Sequence, residues 1–248
     1  MKQISSLQHP LVKHLVKLRQ NSDYRYDHHS ILIEGSKIIA EAAPITTFKH
    51  LLTVSPDLIP KSIKADEILL TTPDIIQKIS GLKSSEGILA EIPMPQNQEL
   101  KDKNYILALD NINDPGNLGT IMRTALALGW EGIFLIDETC DPFNDKSLRA
   151  SRGAVFKLPI MKGNWDDLKK IIVNNQLQCY VADIEGTPFE QVPPAKGLLL
   201  VLGNEAHGPS TLSLNYCKPV TIPMKESMES LNVSVAAGIL MYSLRHKR

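Results

Sequence analysis

The segment LLLVLGNEAHGPS, residues 198–210, decides the predicted fold. It starts with an apolar run that predicts a strand over Gly197–Leu202. A short, continuous apolar run ended by glycine is typical of a strand buried on both faces of a parallel sheet. Ligands of such sheets bind beyond the carboxyl ends of the strands. The loop placed there by this strand contains Gly203, Asn204, Glu205, His207 and Gly208.

Two kinds of residue in this loop point to ligand binding. Glycine lets the backbone approach a ligand closely or adopt a positive φ. A carboxylate at the end of a strand, here Glu205, is a candidate base or ligand-binding group. A solvated turn is the alternative interpretation, and for His207 taken alone it is the favoured one.

The residues on either side predict an α/β domain with a parallel sheet covered on both faces. Its strands are predicted at Tyr105–Leu109, Gly132–Ile136, Cys179–Ala182, Gly197–Leu202 and Pro219–Ile222. Its helices are predicted at Leu118–Leu128, Trp165–Val173 and Ser230–Arg245. The loops after Leu109, Leu202 and Ile222 are therefore the expected ligand-binding loops.

The first of these loops begins a helix and carries several polar side chains. Asn117 is predicted to cap the helix, after the turn residues at 114–116. Capping explains the shape of the loop but not the presence of Asn111 and Arg123 as well. On the pattern alone, function and plain capping are equally good explanations.

The third loop leads into the final helix, for which Ser230 is the predicted cap. Asn232 stands near the start of this otherwise apolar helix, where a hydrogen-bonded core residue is the simplest interpretation. The apolar residues of the helix cover more than one face. Such a helix is expected to be buried against its domain, a partner subunit, or both.

The front of the chain predicts a separate, smaller α/β unit. Strands and helices alternate up to about Ile92, whereas the stretch after it combines prolines with polar residues and lacks apolar periodicity. We expect a first domain over residues 1–95, a linker over 96–103 and a second domain over 104–248.

Composition excludes several classes of protein. The 27 basic and 27 acidic residues balance, so any nucleic-acid contact must come from local patches. The three cysteines are far apart and form no metal-binding pair or disulfide framework, which predicts a reducing cytoplasm and no metal. No signal peptide and no apolar run long enough to span a bilayer is visible, so a soluble intracellular protein is expected.

Three segments together resemble the signature motifs of the SpoU-type (TrmH-like) branch of the SPOUT methyltransferases. They are NINDPGNLGTIMRTA at 111–125, VLGNEAHG at 201–208 and IPMKESMESLNVSVAAGILMY at 222–242. The front of the chain resembles the substrate-binding module of the same family, which is similar to a ribosomal-protein fold. The residues that carry this second resemblance are HPLVK at 9–13, Arg25, LIEG at 32–35 and SEGILAEIP at 85–93.

The resemblance implies a deep trefoil knot in the second domain, a homodimer, and S-adenosylmethionine as cofactor. It implies methylation of a ribose 2′-hydroxyl in RNA, ribosomal RNA more than transfer RNA. The cofactor-binding residues expected from it are Leu202, Gly203, Gly208, Ile222, Met224 and Leu231.

The resemblance also assigns roles at the methyl acceptor. Arg123 is expected to engage the ribose hydroxyl and, because arginine is a poor literal base, to stabilise the forming alkoxide. The residues expected to orient the ribose and Arg123 are Asn117, Glu205, Ser230 and Asn232. The RNA contacts expected in the front domain are Lys13, Arg19 and Arg25. Basic residues interspersed with acidic ones, as in this part of the chain, more commonly form a solvated helix face.

Two other functions compete with this hypothesis. A catalytically silent RNA-binding or ribosome-assembly factor could retain the same fold, but the presence of Arg123, Glu205 and Asn232 argues against it. An unrelated nucleotide-binding α/β enzyme would need a phosphate-binding loop, and none follows a predicted strand.

Overall fold

The computed structural model describes residues 2–61, 63–225 and 227–245. The chain divides into two compact units. The first unit runs to Gln96 and takes in Phe143–Phe156; the second contains Asn97–Pro142 and Lys157–Arg248. The inclusion of Phe143–Phe156 in the first unit differs from the expected division, which placed this segment in the second domain. The sequence of this segment does not indicate that it belongs to the first unit, because it lies between elements of the second unit along the chain.

The first unit is a mixed sheet covered by helices. Its elements are β1 (Lys2–Ile4), α1 (Pro10–Gln20), α2 (Ser22–Asp27), β2 (Ser30–Glu34), α3 (Ser36–Ala42), β3 (Phe48–Thr53), β4 (Ala65–Thr71), α4 (Pro73–Ser80) and β5 (Ile88–Pro93). Among the described residues the strand order is β1-β4-β3-β5-β2. Strand β5 is antiparallel to β2 and β3, whereas β4 is parallel to β1 and β3.

Helix α1 shows why this unit folds as its pattern predicts. Val12, Leu15 and Leu18 recur at helical spacing and are fully buried. They pack in one cluster with Leu52 of β3 and Leu89 of β5. The apolar stripe of the helix therefore covers one face of the sheet, and burial of side chains of this size stabilises the fold by about 1.5–3 kcal/mol each.

The second unit contains the predicted parallel sheet. Its elements are β6 (Tyr105–Leu109), α5 (Pro115–Ala127), β7 (Gly132–Ile136), β8 (Ile160–Gly163), α7 (Trp165–Asn174), β9 (Gln178–Pro188), β10 (Leu198–Leu202), α8 (Thr211–Tyr216), β11 (Lys218–Thr221) and α9 (Val233–Arg245). The remaining helix, α6 (Asp145–Ser151), belongs to the first unit. The order in the described residues is β11-β9-β10-β6-β7-β8, and each pairing is parallel.

Two predicted helix caps are wrong. Asp114, not Asn117, caps α5: its side chain accepts a hydrogen bond from the Asn117 backbone N–H at 2.9 Å. Pro115 takes the first helical position, where its fixed φ suits a helix and its missing N–H costs nothing. Ser230 does not cap the last helix, which starts at Val233. Asn232 immediately precedes it and accepts from the Ser234 N–H at 2.9 Å.

The cysteine prediction is also wrong, because Cys179 and Cys217 form a disulfide. They are 38 residues apart in sequence, but β9 and β11 are neighbouring strands and bring the two Cα atoms to 4.7 Å. Cys140 is a free thiol. Spacing along the chain therefore did not reveal the pair, which depends on strand order.

None of the helices that the structure describes is both long and apolar enough to cross a membrane. Within the same residues, no cluster of three or more histidine, cysteine, aspartate or glutamate side chains could hold a metal ion.

Candidate active site

A cleft of about 520 Å³ opens at the carboxyl ends of β10 and β11 and beside the middle of β9. All six predicted cofactor-binding residues line it: Leu202, Gly203, Gly208, Ile222, Met224 and Leu231. The sequence reasoning missed the wall formed by Ala182–Glu185 of β9. The signal was present, since a predicted strand ended at Ala182, but the loop beyond that strand was not counted among the ligand-binding loops.

Glycine is required at position 203 because the backbone of the same loop passes close to it. A Cβ at this position would lie 2.5 Å from the Gly208 carbonyl oxygen and 2.7 Å from the Pro209 Cα. The loop folds back here because the Gly208 N–H donates to the Asn204 carbonyl at 2.9 Å. Gly208 has a φ of 70°, in the left-handed region that favours glycine.

Side chains from all three motif segments meet in one hydrogen-bonded chain. The Asn117 Nδ2 donates to a Glu205 oxygen at 3.1 Å, and the Asn232 Nδ2 donates to the Asn117 Oδ1 at 3.1 Å. Sequence separations of 88 and 115 residues are bridged in this way. The chain fixes the amide orientations and connects the loop after β10 with the starts of α5 and α9.

Glu205 is held as a carboxylate by its surroundings. Partial burial raises its pKa, but hydrogen bonds from the Asn117 side chain and from the backbone N–H groups of Asn113 and Asp114 outweigh it. The net pKa of Glu205 lies below its ordinary value. At neutral pH the side chain is therefore an acceptor, not a proton donor.

A second, more open cleft lies beside this hydrogen-bonded chain, also with a volume of about 520 Å³. Six of its seven lining residues carry a side-chain amide or carboxyl group, and these groups can hydrogen-bond a polar ligand. The lining residues are Asn113, Asp114, Asn117, Asn204, Glu205, Ala206 and Asn232. Asn113 and Asp114 were not predicted as site residues, since each reads as an ordinary turn residue in the sequence.

Arg123 and Ser230 stand apart from the hydrogen-bonded chain. Arg123 lies on α5 with an exposed side chain. Within the part of the chain that the structure describes, its guanidinium makes no hydrogen bond or ion pair. Ser230 is exposed and lines the first cleft. The structure thus brings three of the five predicted catalytic residues into direct contact.

The predicted RNA contacts of the first unit differ from one another in burial. Lys13 is exposed and Arg19 is half-buried. Arg25 is only 2% exposed, and its Nη1 donates to the carbonyl oxygens of Leu18 at 2.7 Å and Arg19 at 3.0 Å. The prediction that Arg25 contacts RNA is at odds with this arrangement, because a guanidinium that binds the last carbonyls of α1 is not available to a phosphate.

Comparison with known protein families and structures gives the class of protein that this fold and site define. The model of the SpoU rRNA Methylase family matches residues 104–242, and that of the MRM3-like substrate binding domain matches residues 9–90. The chain therefore belongs to the SpoU rRNA methylase family. It is an RNA methyltransferase that uses S-adenosylmethionine.

Particular relatives support this assignment over the whole chain. The 23S rRNA (guanosine(2553)-2′-O)-methyltransferase RlmP of Bacillus subtilis is 31% identical, over 99% of this chain and 100% of the relative. The 23S rRNA (adenosine(1067)-2′-O)-methyltransferase of Streptomyces azureus is 36% identical over 62% of this chain and 60% of its own length. The AdoMet-bound rRNA methyltransferase of Sinorhizobium meliloti has a solved structure with a TM-score of 0.85 and 27% identity, covering 98% of this chain and 97% of that one.

Proposed function

We propose that the protein methylates a ribose 2′-hydroxyl of ribosomal RNA. The observation that carries the proposal is the hydrogen-bonded chain from Glu205 through Asn117 to Asn232, beside a cleft at the carboxyl ends of the strands. The two curated relatives are named as 2′-O-methyltransferases of 23S rRNA, one for a guanosine and one for an adenosine. Ribosomal RNA is therefore favoured over transfer RNA, and the relatives do not agree on one nucleotide.

The cleft at β9, β10 and β11 suits S-adenosylmethionine by its chemistry. Leu202, Ile222 and Leu231 provide apolar walls for a flat base, and the loop at 203–209 brings backbone close to the ligand. The carboxylates of Asp183 and Glu185 line the same cleft and complement a cationic ligand. When bound, the cofactor supplies an electrophilic methyl group. Gly208 and Met224 complete the assigned cofactor-binding residues.

The residues beside this cleft act on the acceptor. Asn117, Glu205 and Asn232 position the ribose, since a carboxylate and two amides with fixed orientations discriminate hydroxyl donors from acceptors. Arg123 engages the acceptor hydroxyl, where a permanent cation stabilises a developing alkoxide and can grip the adjoining phosphate. Ser230 is exposed in the wall of the cleft, and its hydroxyl group is a further hydrogen-bonding partner for the acceptor ribose.

A deep trefoil knot is proposed for the last part of the second unit. Strand β11 lies at the sheet edge on the far side of β9 from β10, although β10 precedes β11 in the chain. The loop after β10 then lines one cleft together with Ile222, Met224 and Leu231, and α9 packs against α5 and β10. Pulling the chain by its two termini tests the knot, because a tightened knot leaves the extended length shorter than that of an unknotted chain.

A homodimer is proposed through α9. Val235, Ile239 and Tyr242 are spaced four and three residues apart and form one exposed apolar stripe, with exposures of 51%, 36% and 60%. Light scattering of Ile239→Arg should show a monomer. The matched control is Val173→Arg on α7, also an exposed apolar residue, at 73%. A dimer that persists in Ile239→Arg contradicts this interface.

The first unit is proposed to bind RNA and to have the ribosomal-protein-like fold expected from the sequence. Lys13 and Arg19 remain proposed phosphate contacts, in the region that matches a substrate-binding domain. A cytoplasmic location also remains a prediction; it no longer rests on the cysteines, because Cys179 and Cys217 form a disulfide, but on the ribosomal RNA substrates named for the relatives.

Two measurements test the proposed function. Calorimetry should show binding of S-adenosylmethionine, and mapping of ribose methylation in total RNA, with and without the gene, should reveal one lost 2′-O-methyl group in ribosomal RNA. Cofactor binding without any lost methyl group would favour the silent RNA-binding or ribosome-assembly factor. Absence of cofactor binding would contradict both the cofactor cleft and the proposed activity.

A further inference from the structure

The first unit contains a cavity of about 280 Å³ that the proposed reaction does not use. Its residues are Glu34, Gly35, Lys37, Ile38, Leu82, Ser84, Glu86, Arg149 and Arg152. None of them lines the cofactor cleft. Two of the three cations, Arg149 and Arg152, come from the inserted segment at 143–156 and become part of this unit only in the folded protein.

Two of these cations are available for a ligand. Arg149 is already paired, since its Nη1 lies 2.8 Å from the Asp145 Oδ2. The Lys37 ammonium and the Arg152 guanidinium make no hydrogen bond or ion pair with any of the residues that the structure describes, although the Arg152 backbone N–H donates to the Arg149 carbonyl. Arg152 is exposed and has a φ of 47°, an uncommon conformation for a side chain that is not glycine. A pair of unmatched cations at the wall of one cavity is a site for an anion such as a phosphate.

The carboxylates of the same cavity are fixed by neighbouring groups. Glu86 accepts hydrogen bonds from the Ser36 N–H at 2.9 Å and the Ser36 Oγ at 3.0 Å. Glu34 accepts from the Ser85 Oγ at 2.6 Å. Each carboxyl group keeps unused acceptor sites, because an ionised carboxylate has about four. These sites suit the N–H groups on the edge of a nucleobase.

The remaining walls are apolar or small. Ile38 and Leu82 supply aliphatic surface for the face of a flat ring, and the backbone at Gly35 adds no side chain. The volume is near the lower end of ligand pockets, about 300 Å³, which is small enough for one nucleotide but not for a helix of RNA. Cations, acceptors and apolar walls together match the parts of a nucleotide.

We propose that this cavity binds a single unpaired nucleotide of the substrate RNA, with its phosphate at Lys37 and Arg152 and its base against Ile38 and Leu82. Sequence-specific RNA recognition commonly uses unpaired bases turned out of the chain. The inference rests on the proposed function, which makes RNA the substrate, and it adds a recognition site away from the methyl acceptor.

The phosphate contact is tested with Lys37→Gln and Arg152→Gln, each in the full-length protein. Single-turnover methylation of 23S rRNA from cells lacking the gene gives the RNA concentration for half-maximal rate. We expect each variant to raise this concentration roughly tenfold, because a charge-assisted contact is lost. The slope of log affinity against log salt should become shallower by about 0.7 per lost contact to single-stranded RNA. The matched control is Lys64→Gln, an exposed lysine of the same unit outside the cavity.

The base contact is tested with Ser84→Trp, which fills the cavity without changing charge. It should weaken RNA binding to a similar extent while leaving the salt slope unchanged. If Ser84→Trp binds RNA like the wild type, the nucleotide pocket is wrong. If Lys37→Gln and Arg152→Gln behave like Lys64→Gln, the phosphate site is wrong.

Failure of this inference is distinguishable from failure of the proposed function. Wild-type protein that methylates 23S rRNA, together with variants that match it, overturns only the cavity. Wild-type protein that methylates no RNA overturns the function itself. Calorimetry with S-adenosylmethionine should give the same dissociation constant for each cavity variant, since none of these residues lines the cofactor cleft.

Discussion

The surroundings of Arg123 allow a catalytic role of its side chain to be distinguished from a structural role by mutation. It is exposed, and its guanidinium makes no hydrogen bond or ion pair with the described residues, so Arg123→Ala should leave the melting temperature unchanged. Turnover should fall about a hundredfold or more, since loss of one preorganised donor costs about 3 kcal/mol in the transition state. Arg123→Lys should recover only part of the rate, because it keeps the charge without the planar fork.

The measurement for Arg123 is single-turnover methylation at saturating RNA and cofactor, with thermal melts of each variant. Near-normal turnover in a stable Arg123→Ala protein would exclude the catalytic role. A lowered melting temperature would show instead that the side chain has a structural partner.

The steric requirement for glycine at position 203 can be tested by substitution. In Gly203→Ala the new Cβ meets backbone atoms of Gly208 and Pro209, which cannot move aside as a side chain can. The loop must shift, and we expect affinity for S-adenosylmethionine to fall at least tenfold in calorimetry. Gly129→Ala is the matched control: its φ is 74° and its Cβ would have open space, so it should cost about 1–2 kcal/mol of stability, because a residue with a Cβ is strained in the left-handed region, and leave cofactor affinity intact. Equal affinities for the two variants would contradict the steric argument.

Glu91 predicts a pH dependence of stability in the first unit. Burial raises its pKa, but hydrogen bonds from His50, at 2.7 Å, and from His14 outweigh it and bring the pKa below its ordinary value of 4.5. A folded-state pKa below the unfolded one adds stability at pH values above 4.5, and this stability is lost as the pH falls through the folded-state pKa. The free energy of unfolding of the wild type should therefore decline below pH 4.5.

The matched variants for Glu91 are Glu91→Gln and Asp66→Asn, the latter an exposed acid of the same unit. At pH 7, Glu91→Gln should lower the free energy of unfolding by about 1–3 kcal/mol, because buried hydrogen bonds to a charged group are lost. Its decline in acid should be flatter than that of the wild type. Urea titrations from pH 3 to 7 measure both effects. If the free energy of unfolding of Glu91→Gln declines in acid as steeply as that of Asp66→Asn, the pH dependence does not come from Glu91.

At the scale of elements, the disulfide joins β9 to the residue before β11, and both strands line the first cleft, the proposed cofactor site. Closing a loop of this length stabilises a fold by about 2–4 kcal/mol. Dithiothreitol should therefore lower the melting temperature of the wild type and leave that of the Cys179→Ala/Cys217→Ala double variant unchanged. Thiol titration of the unfolded, unreduced protein should count one thiol, Cys140. Three thiols would contradict the disulfide.

Helix ends show where local patterns are a good guide and where they are not. Helix α4 begins after Thr72 with Pro73 in its first turn, as its cap residues predict. Helices α5 and α9 start at other residues than predicted, because several capping candidates follow each other there and only the folded loops choose among them. In α5, Asp114 precedes a proline and becomes the cap; in α9, Asn232 is held by Asn117 from another helix.

At the scale of the whole molecule, the segment Phe143–Phe156 limits how the chain can be divided. The fragment from Asn97 to Arg248 keeps every residue of the cofactor cleft but lacks the unit in which Leu148 and Val155 are buried. It should bind S-adenosylmethionine with an unchanged dissociation constant, melt at a lower temperature than the full chain, and bind a hydrophobic dye. Dye binding and melts test this. A fragment as stable as the full chain and without dye binding would show that the segment needs no partner.

The sequence by itself determined the strands that its apolar runs predicted and the types of residue that follow those strands at the site. The apolar runs at 198–202 and 105–109 predicted buried strands of a parallel sheet, and in the structure these two strands pair residue by residue. The six residues that the family resemblance assigns to the cofactor all line one cleft, at loops that the strand pattern had placed there. Such features depend on residues close together in the chain, where hydrophobic burial and backbone sterics act locally.

Only the tertiary structure decided what depends on distant residues. The contact between Asn232 and Asn117 and the Cys179–Cys217 bond each arise when distant chain segments come together in the fold. The transfer of residues 143–156 to the first unit is of the same kind. Their physical cause is strand order and packing, which bring together residues up to 115 positions apart and leave no periodic trace in the sequence.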